Sequence, residues 1–256
     1  MNVALMGMGR LGRSLYALLD GKPDVQVKTW RRGMAVPSGS DVYWICVPDS
    51  AISEVAAQIP VGAIVLHASG ACDLDVLAPH KSIGSIHPLQ SFPGPEIGIP
   101  VPETTPAAIA GTPTAMKQAW KIAEMLGFRP FKVEGDRRAY HAAAVLAGNF
   151  ATLLLDQACL LLNAAGVDSS NAPTILSPLM RSSIDQATGA NPLLALTGPV
   201  ARGDTQTVES HLDFLASHSP EILEIYKKLS ERAVERLHEL DRINSEDLEN
   251  WKRLLK

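Results

Sequence analysis

The chain has 256 residues, of which 46% are hydrophobic and 20% are charged, so it is long enough to bury a sizeable core and to form two domains. Its formal net charge of −4 argues against nucleic acid as the main partner. Its three cysteines, Cys46, Cys72 and Cys159, are too widely spaced for a disulfide framework or a zinc site, which favours a reducing, cytoplasmic environment.

The first predicted elements form a strand–turn–helix–strand unit. Residues 2–6 are an apolar run that predicts a strand, and residues 11–19 have the pattern of a helix. Between them lies GMGRLG, residues 7–12, which fits G-x-G-x-x-G, and a second strand is predicted over Val25–Trp30. This order is the context in which the glycine pattern indicates a dinucleotide-binding turn. Because the N-terminus begins a core strand, we expect no signal peptide.

Each of the three glycines meets a physical demand of such a site. Gly7 permits the tight turn, Gly9 places no side chain where a pyrophosphate approaches, and Gly12 lets the helix pack closely on the strand. The helix N-terminus then offers free N–H groups and a positive dipole end to the phosphates. The alternative interpretation is an ordinary strand–turn–helix without a ligand.

The end of the second strand predicts which dinucleotide binds. An NAD site usually has Asp or Glu there, which binds the ribose 2′-hydroxyl. Here Arg31 and Arg32 follow the strand, and Asp24 lies at its other end. Two guanidinium groups suit a 2′-phosphate, and Arg10 adds positive charge within the glycine turn. We therefore expect NADP rather than NAD, although the two arginines also fit a solvated basic turn.

Alternating strands and helices continue to about residue 134. Further strands are predicted over residues 41–47, 63–67, 82–87, 107–110 and 130–133, with helices between several of them. This alternation predicts an α/β domain over residues 1–134, a Rossmann-type doubly wound parallel sheet. Ligands of such sheets bind at the carboxyl ends of the strands. The sequences VPDS, HASG and HPLQSF lie at three of these ends, where we expect the nicotinamide.

Residues 135–256 show only helical patterns, which predict an all-α C-terminal domain. Asp136 can cap a long helix that runs to about Ala165, and further helices are predicted over residues 172–187, 205–216, 220–240 and 246–255. One face of the long helix carries a largely polar stripe, which consists of His141, Val145, Gly148, Asn149, Thr152 and Asp156. The stripe either faces the cofactor cleft or is satisfied by neighbouring helices.

The long helix also bears on membranes and on assembly. Its apolar stretch, residues 142–155, is too short to span a bilayer, so we expect no membrane partner. The helix is nevertheless unusually apolar for a surface helix, which favours burial against another chain. We therefore expect a homodimer packed through the C-terminal domains.

The order of GMGRLG, VPD, HASG, IHPLQSF, HAAAVLAGNF and TGPVARGD along nearly the whole chain resembles the 6-phosphogluconate dehydrogenase-like superfamily. Within it, the chain is similar to a bacterial family of Rossmann-like proteins with a helical C-terminal domain of unknown function, often described as NADP- or coenzyme F420-dependent oxidoreductases. Relatives such as pyrroline-5-carboxylate reductase, ketopantoate reductase and prephenate dehydrogenase imply a dimer whose helical domains complete the active site.

The chain departs from some of these relatives in its acid–base group. Ketopantoate reductases and β-hydroxyacid dehydrogenases carry a catalytic lysine four residues before a helix asparagine, whereas here Val145 precedes Asn149 at that spacing. The nearest ionisable replacements are His141 and His87, and His87 is better placed, at a strand end before a proline. A pKa near neutrality would let His87 exchange a proton with a carbonyl or hydroxyl group. Alternatively, His87 only holds its loop in place.

These observations lead to one hypothesis and one alternative of a different class, while the use of coenzyme F420 with NADP, which the resemblance alone suggests, stays open. We expect an NADP-dependent oxidoreductase that transfers a hydride to or from a small metabolite bound between the two domains. His87 is the expected acid–base group, with Asn149 and Ser69 orienting the substrate, and His141 is the second candidate for the acid–base role. The residues expected to bind the cofactor are Gly7, Met8, Gly9, Arg10, Leu11, Gly12, Arg31, Arg32, Val47, Pro48 and Asp49. The alternative is a non-catalytic NADP-binding sensor or regulatory protein, which the absence of the lysine keeps open.

Overall fold

The computed structural model describes residues 1–97, 101–189 and 191–256. The described residues form two compact units, Met1–Ala151 and Thr152–Lys256. The first unit contains the sheet, and the second contains helices and no strand among its described residues. The sequence predicts a boundary after residue 134, where the last strand has ended. The first unit extends beyond that point because it includes the next helix.

Seven strands among the described residues form one sheet, in the order β2-β1-β3-β4-β5-β6-β7. The strands are β1 (Asn2–Met6), β2 (Gln26–Trp30), β3 (Val42–Ile45), β4 (Ile64–His67), β5 (Ser82–Pro88), β6 (Pro106–Gly111) and β7 (Arg129–Lys132). The helices of this unit are α1 (Arg10–Leu19), α2 (Ile52–Ala56), α3 (Pro113–Met125) and α4 (Arg137–Ala147). The strands lie close to the ranges that the sequence predicts.

The first five strands are parallel, which confirms a mostly parallel, Rossmann-like sheet. The last two strands differ from the prediction, because β6 runs antiparallel to β5 and β7 runs parallel to β6. A parallel connection needs a crossover, which is usually a helix. The described residues between β5 and β6 contain only a short 3₁₀ turn, Pro95–Ile97, so β6 returns antiparallel. Helix α3 provides the crossover that keeps β6 and β7 parallel.

The central strand β1 shows how the sheet is covered on both faces. Val3 and Leu5 pack in one apolar cluster with residues of α1 and α3, whereas Ala4 and Met6 pack in another with residues of α2. All four side chains are fully buried. Because successive side chains of a strand point to opposite faces, an unbroken apolar run requires helices on both sides. The buried sheet fixes the strand ends on which the site is built.

A helical run extends over Arg137–Ala164 and is divided at Gly148 into α4 and α5 (Asn149–Ala164). Asp136 caps its start, as predicted, because its side chain accepts a hydrogen bond from the backbone N–H of Arg138. Among the described residues this run alone is long and apolar enough, with a mean hydropathy of 1.7, to cross a membrane by length and composition. Its most apolar part contains no buried residue.

The second unit is built from helices that pack around a small apolar core. Besides most of α5, its helices are α6 (Ala172–Gln186), α7 (Pro199–Arg202), α8 (Thr205–His218), α9 (Pro220–Glu239) and α10 (Ser245–Leu254). This core is one apolar cluster that includes Val208 of α8, Val234 of α9 and Trp251 of α10, all of them almost completely buried. The helices predicted from the sequence in this region are confirmed, with bounds that differ by a few residues.

Candidate functional site

The turn between β1 and α1 has the shape that a bound dinucleotide needs. Gly7 has a φ of 122°, and a Cβ there would lie 2.7 Å from the carbonyl oxygen of Cys46, so no other residue fits without strain. A Cβ at Gly12 would lie 1.9 Å from the carbonyl oxygen of Gly7, which shows how closely α1 packs on the turn. A Cβ at Gly9 would meet no atom within 4 Å, so the space beside Gly9 is open to a ligand.

The N-terminus of α1 points its free amides at this open space. The helix begins at Arg10 and its cap is Gly9, which has no side chain to accept a hydrogen bond from the first amides. There is no acidic residue in the first turn. The first amides of a helix lack partners within the helix and carry the positive end of its dipole, so they suit a phosphate. Met8 and Leu11 are half-buried in the same turn.

Arg31 and Arg32 are exposed and directly follow β2, as predicted. The structure adds one neighbour, because Arg32 Nη2 lies 3.3 Å from Oε2 of Glu54 in α2. Both side chains are largely exposed, at 78% and 61% of their surface, and such pairs contribute only about 0–1 kcal/mol. The pair therefore leaves Arg32 free to exchange its partner for a phosphate.

The segment after β3 borders the glycine turn. A Cβ at Gly7 would lie 2.7 Å from Cγ1 of Val47, which places the start of the VPD sequence against the turn. Pro48 and Asp49 follow and are exposed. The predicted cofactor residues of the loops after β1 and β3 therefore lie together at the carboxyl ends of these two strands.

Ser69 lies in the loop after β4 and uses its hydroxyl group within the chain. Its Oγ donates a hydrogen bond to Oδ2 of Asp49 at 2.9 Å. The same oxygen accepts hydrogen bonds from the backbone N–H groups of Ala71 at 3.1 Å and Cys72 at 2.9 Å. A hydroxyl has one donor and two acceptor positions, so Ser69 has none left for a substrate. Its predicted role in orienting a substrate stays a prediction, and it would require Ser69 to exchange one of these contacts.

A cleft of about 690 Å³ lies at the carboxyl end of β5, beside α4. Its lining residues are His87, Pro88, Leu89, Gln90, Ser91, Phe131, Tyr140, His141, Ala143, Ala144, Val145, Ala147, Gly148 and Asn149. The cleft brings together three predicted site residues, His87, His141 and Asn149. Val145, at the position where some relatives carry a lysine, is also in the lining. One wall is therefore apolar, and the polar groups are concentrated at the end of β5 and on α4.

Two residues of α4 hold His87 in the cleft. Nδ1 of His87 is hydrogen-bonded to the hydroxyl group of Tyr140 at 2.7 Å, and the rings meet edge to face at 5.5 Å between centroids. The His141 ring lies 5.9 Å from the His87 ring. Both imidazole rings pack closely against Gly70. A Cβ at this position would lie 2.9 Å from His87 Nε2 and 2.7 Å from His141 Nδ1. Only a residue without a side chain fits at this position while both rings keep their places.

A buried cation lies behind the cleft. Arg137 is only 6% exposed, and its Nη2 donates a hydrogen bond to the carbonyl oxygen of Ser69 at 2.7 Å. Its Nε and Nη1 atoms have no hydrogen-bond partner among the described residues. Burial, then the neighbouring His141 and Arg137, lower the pKa of His87 to about 4. The expectation of a near-neutral pKa at His87 is therefore wrong, because the folded chain removes the ring from water and places positive charge nearby. The acid–base role itself stays a prediction.

Two further groups near the cleft have shifted pKa values. Burial raises the pKa of Tyr140 to about 12, so its phenol keeps its proton at neutral pH. Burial and Arg137 lower the pKa of the fully buried His67 to about 4. Nδ1 of His67 accepts a hydrogen bond from the backbone N–H of Ser69 at 3.2 Å, so this histidine supports the loop after β4.

Tyr140 and Arg137 are not among the site residues that the sequence predicts. Both precede His141 on the same helix, and residues three or four positions apart lie on one helix face. Arg137 and Tyr140 are three apart, and Arg137 and His141 are four apart, so the sequence DRRAYH places the three side chains together. This spacing is the signal that could have identified them.

Comparison with known proteins supports the fold described above. The chain aligns with a candidate NADP oxidoreductase from Bacteroides fragilis at a TM-score of 0.76 and 22% identity, over 91% of this chain and 97% of that one. It aligns with a protein from Thermotoga maritima at a TM-score of 0.72 and 23% identity, over 94% and 100% of the two chains. An imine reductase from Myxococcus stipitatus, solved in complex with NADP⁺, gives a TM-score of 0.64 and 11% identity over 100% of both chains.

These likenesses establish a Rossmann-like core followed by a helical region. No curated protein sequence matches the chain. One family model does, "Domain of unknown function (DUF2520)", and it matches residues 105–233, which is half of the chain. The match begins in the sheet, includes the whole of α4 with its cleft residues, and continues into the helical unit. The chain therefore belongs to the DUF2520 family.

Proposed function

We propose that this protein is an NADP-dependent oxidoreductase that transfers a hydride between the nicotinamide and a small metabolite. The observation that carries the proposal is the arrangement of two features at the carboxyl ends of the parallel strands. The glycine turn follows β1 and the His87 cleft follows β5, and these parallel strands are separated only by β3 and β4. Neighbouring strands are about 4.8 Å apart, so the two features are about 14 Å apart, which is on the scale of half a dinucleotide. A cofactor whose pyrophosphate lies on the turn can extend its nicotinamide toward the cleft.

The residues present fit such a cofactor. The open space at Gly9 and the uncapped amides of α1 suit the pyrophosphate. Arg31 and Arg32 directly follow β2 and would bind the 2′-phosphate of NADP, and Val47 lies against the glycine turn. When bound, NADPH supplies the hydride. The structural neighbours described as an NADP oxidoreductase and an NADP⁺-bound imine reductase support this assignment, as does the resemblance to the 6-phosphogluconate dehydrogenase-like superfamily.

The cleft is suited to a small organic substrate. Small-molecule sites usually have volumes of roughly 300–1,000 Å³ and combine apolar walls with a few polar groups. The cleft has about 690 Å³, an apolar side on α4, and His87, Tyr140 and His141 grouped at one end. Asn149 lies exposed at the start of α5 and offers an amide to the substrate. This arrangement favours a substrate with one polar, reducible group and an apolar body.

Binding and turnover can be measured separately. Calorimetric titration with NADPH and NADH tests the cofactor, and we expect tighter binding of NADPH. NADPH oxidation is then followed with a panel of keto acids, cyclic imines and coenzyme F420. Failure to bind either dinucleotide would contradict the proposal. Tight NADPH binding without oxidation by any acceptor would favour the alternative of a sensor.

We also propose that a second copy of the chain covers the helical run Arg137–Ala164. Phe150 and Leu153 of α5 are 48% and 47% exposed, and Leu179 of α6 is 67% exposed. Phe150 and Leu153 are three positions apart and lie on one helix face, and monomeric proteins in water rarely expose large apolar patches. A bilayer is the less favourable cover, because Asp156 lies well inside the run and a carboxylate in a bilayer costs about 2.5–3.5 kcal/mol or more.

Light scattering and vesicle flotation distinguish a second copy of the chain from a bilayer as the partner of this run. We expect a dimer at tens of micromolar, with no flotation on liposomes. Leu153→Lys should produce a monomer, since it places a charge in the apolar face. Leu229→Lys is the matched control, because Leu229 is 53% exposed on a different helix, α9. A monomeric wild type, or a dimer that Leu153→Lys leaves intact, would contradict the proposal.

A further inference from the structure

The cleft contains a candidate proton donor that the sequence did not suggest. None of its described lining residues is an acid or a lysine, and the remaining groups with an acidic hydrogen are Ser91, Tyr140 and two histidines. An alcohol such as Ser91 is a much weaker acid than a phenol. His87 is neutral at neutral pH, since burial lowers its pKa to about 4, and a neutral imidazole N–H is also a weaker acid than a phenol. Tyr140 is thus the strongest neutral acid in the lining.

The phenol group is held firmly for this task. Its oxygen lies 2.7 Å from Nδ1 of His87, and the ring packs edge to face on His87. On another side the ring contacts Phe131, with 6.2 Å between the ring centroids. Two aromatic neighbours and one short hydrogen bond therefore fix the position of the hydroxyl group at the cleft wall. A proton donor needs such fixed geometry within hydrogen-bond reach of the reacting atom.

We propose that Tyr140 is the proton donor of the reaction and that Nδ1–H of His87 donates a hydrogen bond to the phenol oxygen. This inference rests on the proposed oxidoreductase function. In this tautomer the Tyr140 O–H is free to point into the cleft. His87 is then a positioning residue, which holds the phenol and stabilises the phenolate after the proton has left.

The proton transfer balances in the following way for a carbonyl acceptor. Hydride addition at the carbon leaves the electron pair of the double bond on the oxygen. The O–H bond of Tyr140 breaks as the O–H bond of the product alcohol forms. The phenolate then takes a proton from a water molecule that enters the cleft, the hydroxide is neutralised in the solvent, and His87 keeps its Nδ1 proton and its hydrogen bond throughout. One proton from the solvent is consumed for each substrate reduced, and oxidation reverses the path.

The resting protein provides a test that needs no substrate. Nitrogen NMR of the imidazole rings, with His87→Gln to assign the signals, reports the charge and tautomer of His87. We expect a neutral ring at pH 7 with its proton on Nδ1. A charged ring at pH 7 would overturn the inference, because an imidazolium is a stronger acid than the phenol. A proton on Nε2 would also overturn it, because the Tyr140 O–H would then be donated to His87.

Kinetics provide the second test, with the acceptor that the screen identifies. Tyr140→Phe should slow the single-turnover rate by roughly 10²–10⁴-fold and leave NADPH affinity unchanged. Tyr226→Phe is a matched control. In the second unit, Tyr226 forms the same edge-to-face ring pair with His211, and its hydroxyl oxygen lies 2.9 Å from Nδ1 of His211. The rate of Tyr226→Phe should equal that of the wild type.

Two results would contradict the role of Tyr140 and leave the proposed function intact. The first is a full single-turnover rate in Tyr140→Phe. The second is a wild-type rate that falls tenfold for each pH unit between about pH 6 and 9, as a histidinium donor requires. A phenol donor gives a flat profile over that range. A wild type that binds no dinucleotide would contradict the proposed function, and the NMR result would still decide the state of the His87–Tyr140 pair.

Discussion

Replacing Gly70 by alanine tests whether this glycine sets the geometry of the two cleft histidines. Gly70 is buried, and its φ lies outside the left-handed region, so alanine fits the backbone. The new methyl group would lie 2.7 Å from His141 Nδ1 and 2.9 Å from His87 Nε2, where ordinary contacts begin at 3.4 Å. The rings must therefore retreat by about 0.7 Å and about 0.5 Å. Such overpacking costs about 1–3 kcal/mol.

The same displacement should disturb the hydrogen bond between His87 and Tyr140. That bond is 2.7 Å long, and a displacement of the ring by about 0.5 Å is enough to change its length or its alignment. We expect Gly70→Ala to unfold in urea with a free energy about 1–3 kcal/mol lower than that of the wild type. We also expect its turnover to fall, since the phenol loses its fixed position.

Gly135→Ala is the matched control for this experiment. Gly135 is exposed, its φ is also outside the left-handed region, and a Cβ there would meet no atom within 4 Å. Its free energy of unfolding should stay within about 0.5 kcal/mol of the wild-type value. If Gly70→Ala behaved like Gly135→Ala in stability and turnover, the claim that both imidazole rings pack closely against Gly70 would be refuted.

Three further predictions concern charge. The folded-state pKa values of His67 and His87 are lowered to about 4, so between about pH 4 and 6.5 the unfolded chain binds more protons than the folded chain. The free energy of unfolding should therefore be highest above about pH 6.5. It should fall by up to about 3 kcal/mol per histidine as the pH approaches 4. Urea midpoints that stay constant from pH 7 to 4 would contradict this. Arg31→Ala with Arg32→Ala should weaken NADPH binding by at most about 1.5–3 kcal/mol per residue, and by less because both are exposed, while NADH binding is unchanged; equal wild-type affinities for the two cofactors would contradict the assignment. Glu54→Gln should tighten NADPH binding by at most about fivefold, since it releases Arg32 from a weak ion pair, and looser binding would indicate another role for Glu54.

The strands and helices could be predicted because their signals are local. An apolar run such as residues 2–6, followed by glycines and a helical pattern, needs a buried strand and a turn wherever the rest of the chain lies. The direction of β6 could not be predicted in the same way. A strand pattern reads alike in both directions, and the direction depends on whether the preceding connection contains a crossover helix.

The site was partly predictable for a related reason. Strand ends mark where ligands bind, which identified His87, and helical spacing linked His141 with Asn149. The pKa of His87 depends on burial and on His141 and Arg137, which lie far along the chain, so neither cause is visible in the sequence around the histidine. Glu54 meets Arg32 only because α2 folds against the end of β2, so the ion pair also required the tertiary structure.

The valine at position 145 acquires a different meaning once the cleft is known. Some of the enzymes that the sequence resembles place a lysine there, and its absence from this chain keeps a non-catalytic role open. The chemical requirement, however, is a donor that can protonate an alkoxide, and an alkoxide is a far stronger base than a phenolate. The Tyr140 hydroxyl meets that requirement from the same helix, with His87 to hold it and the buried charge of Arg137 to stabilise the phenolate. A missing lysine therefore does not by itself argue against catalysis, and under the proposed function Val145 would form part of the apolar wall against which the body of the substrate packs.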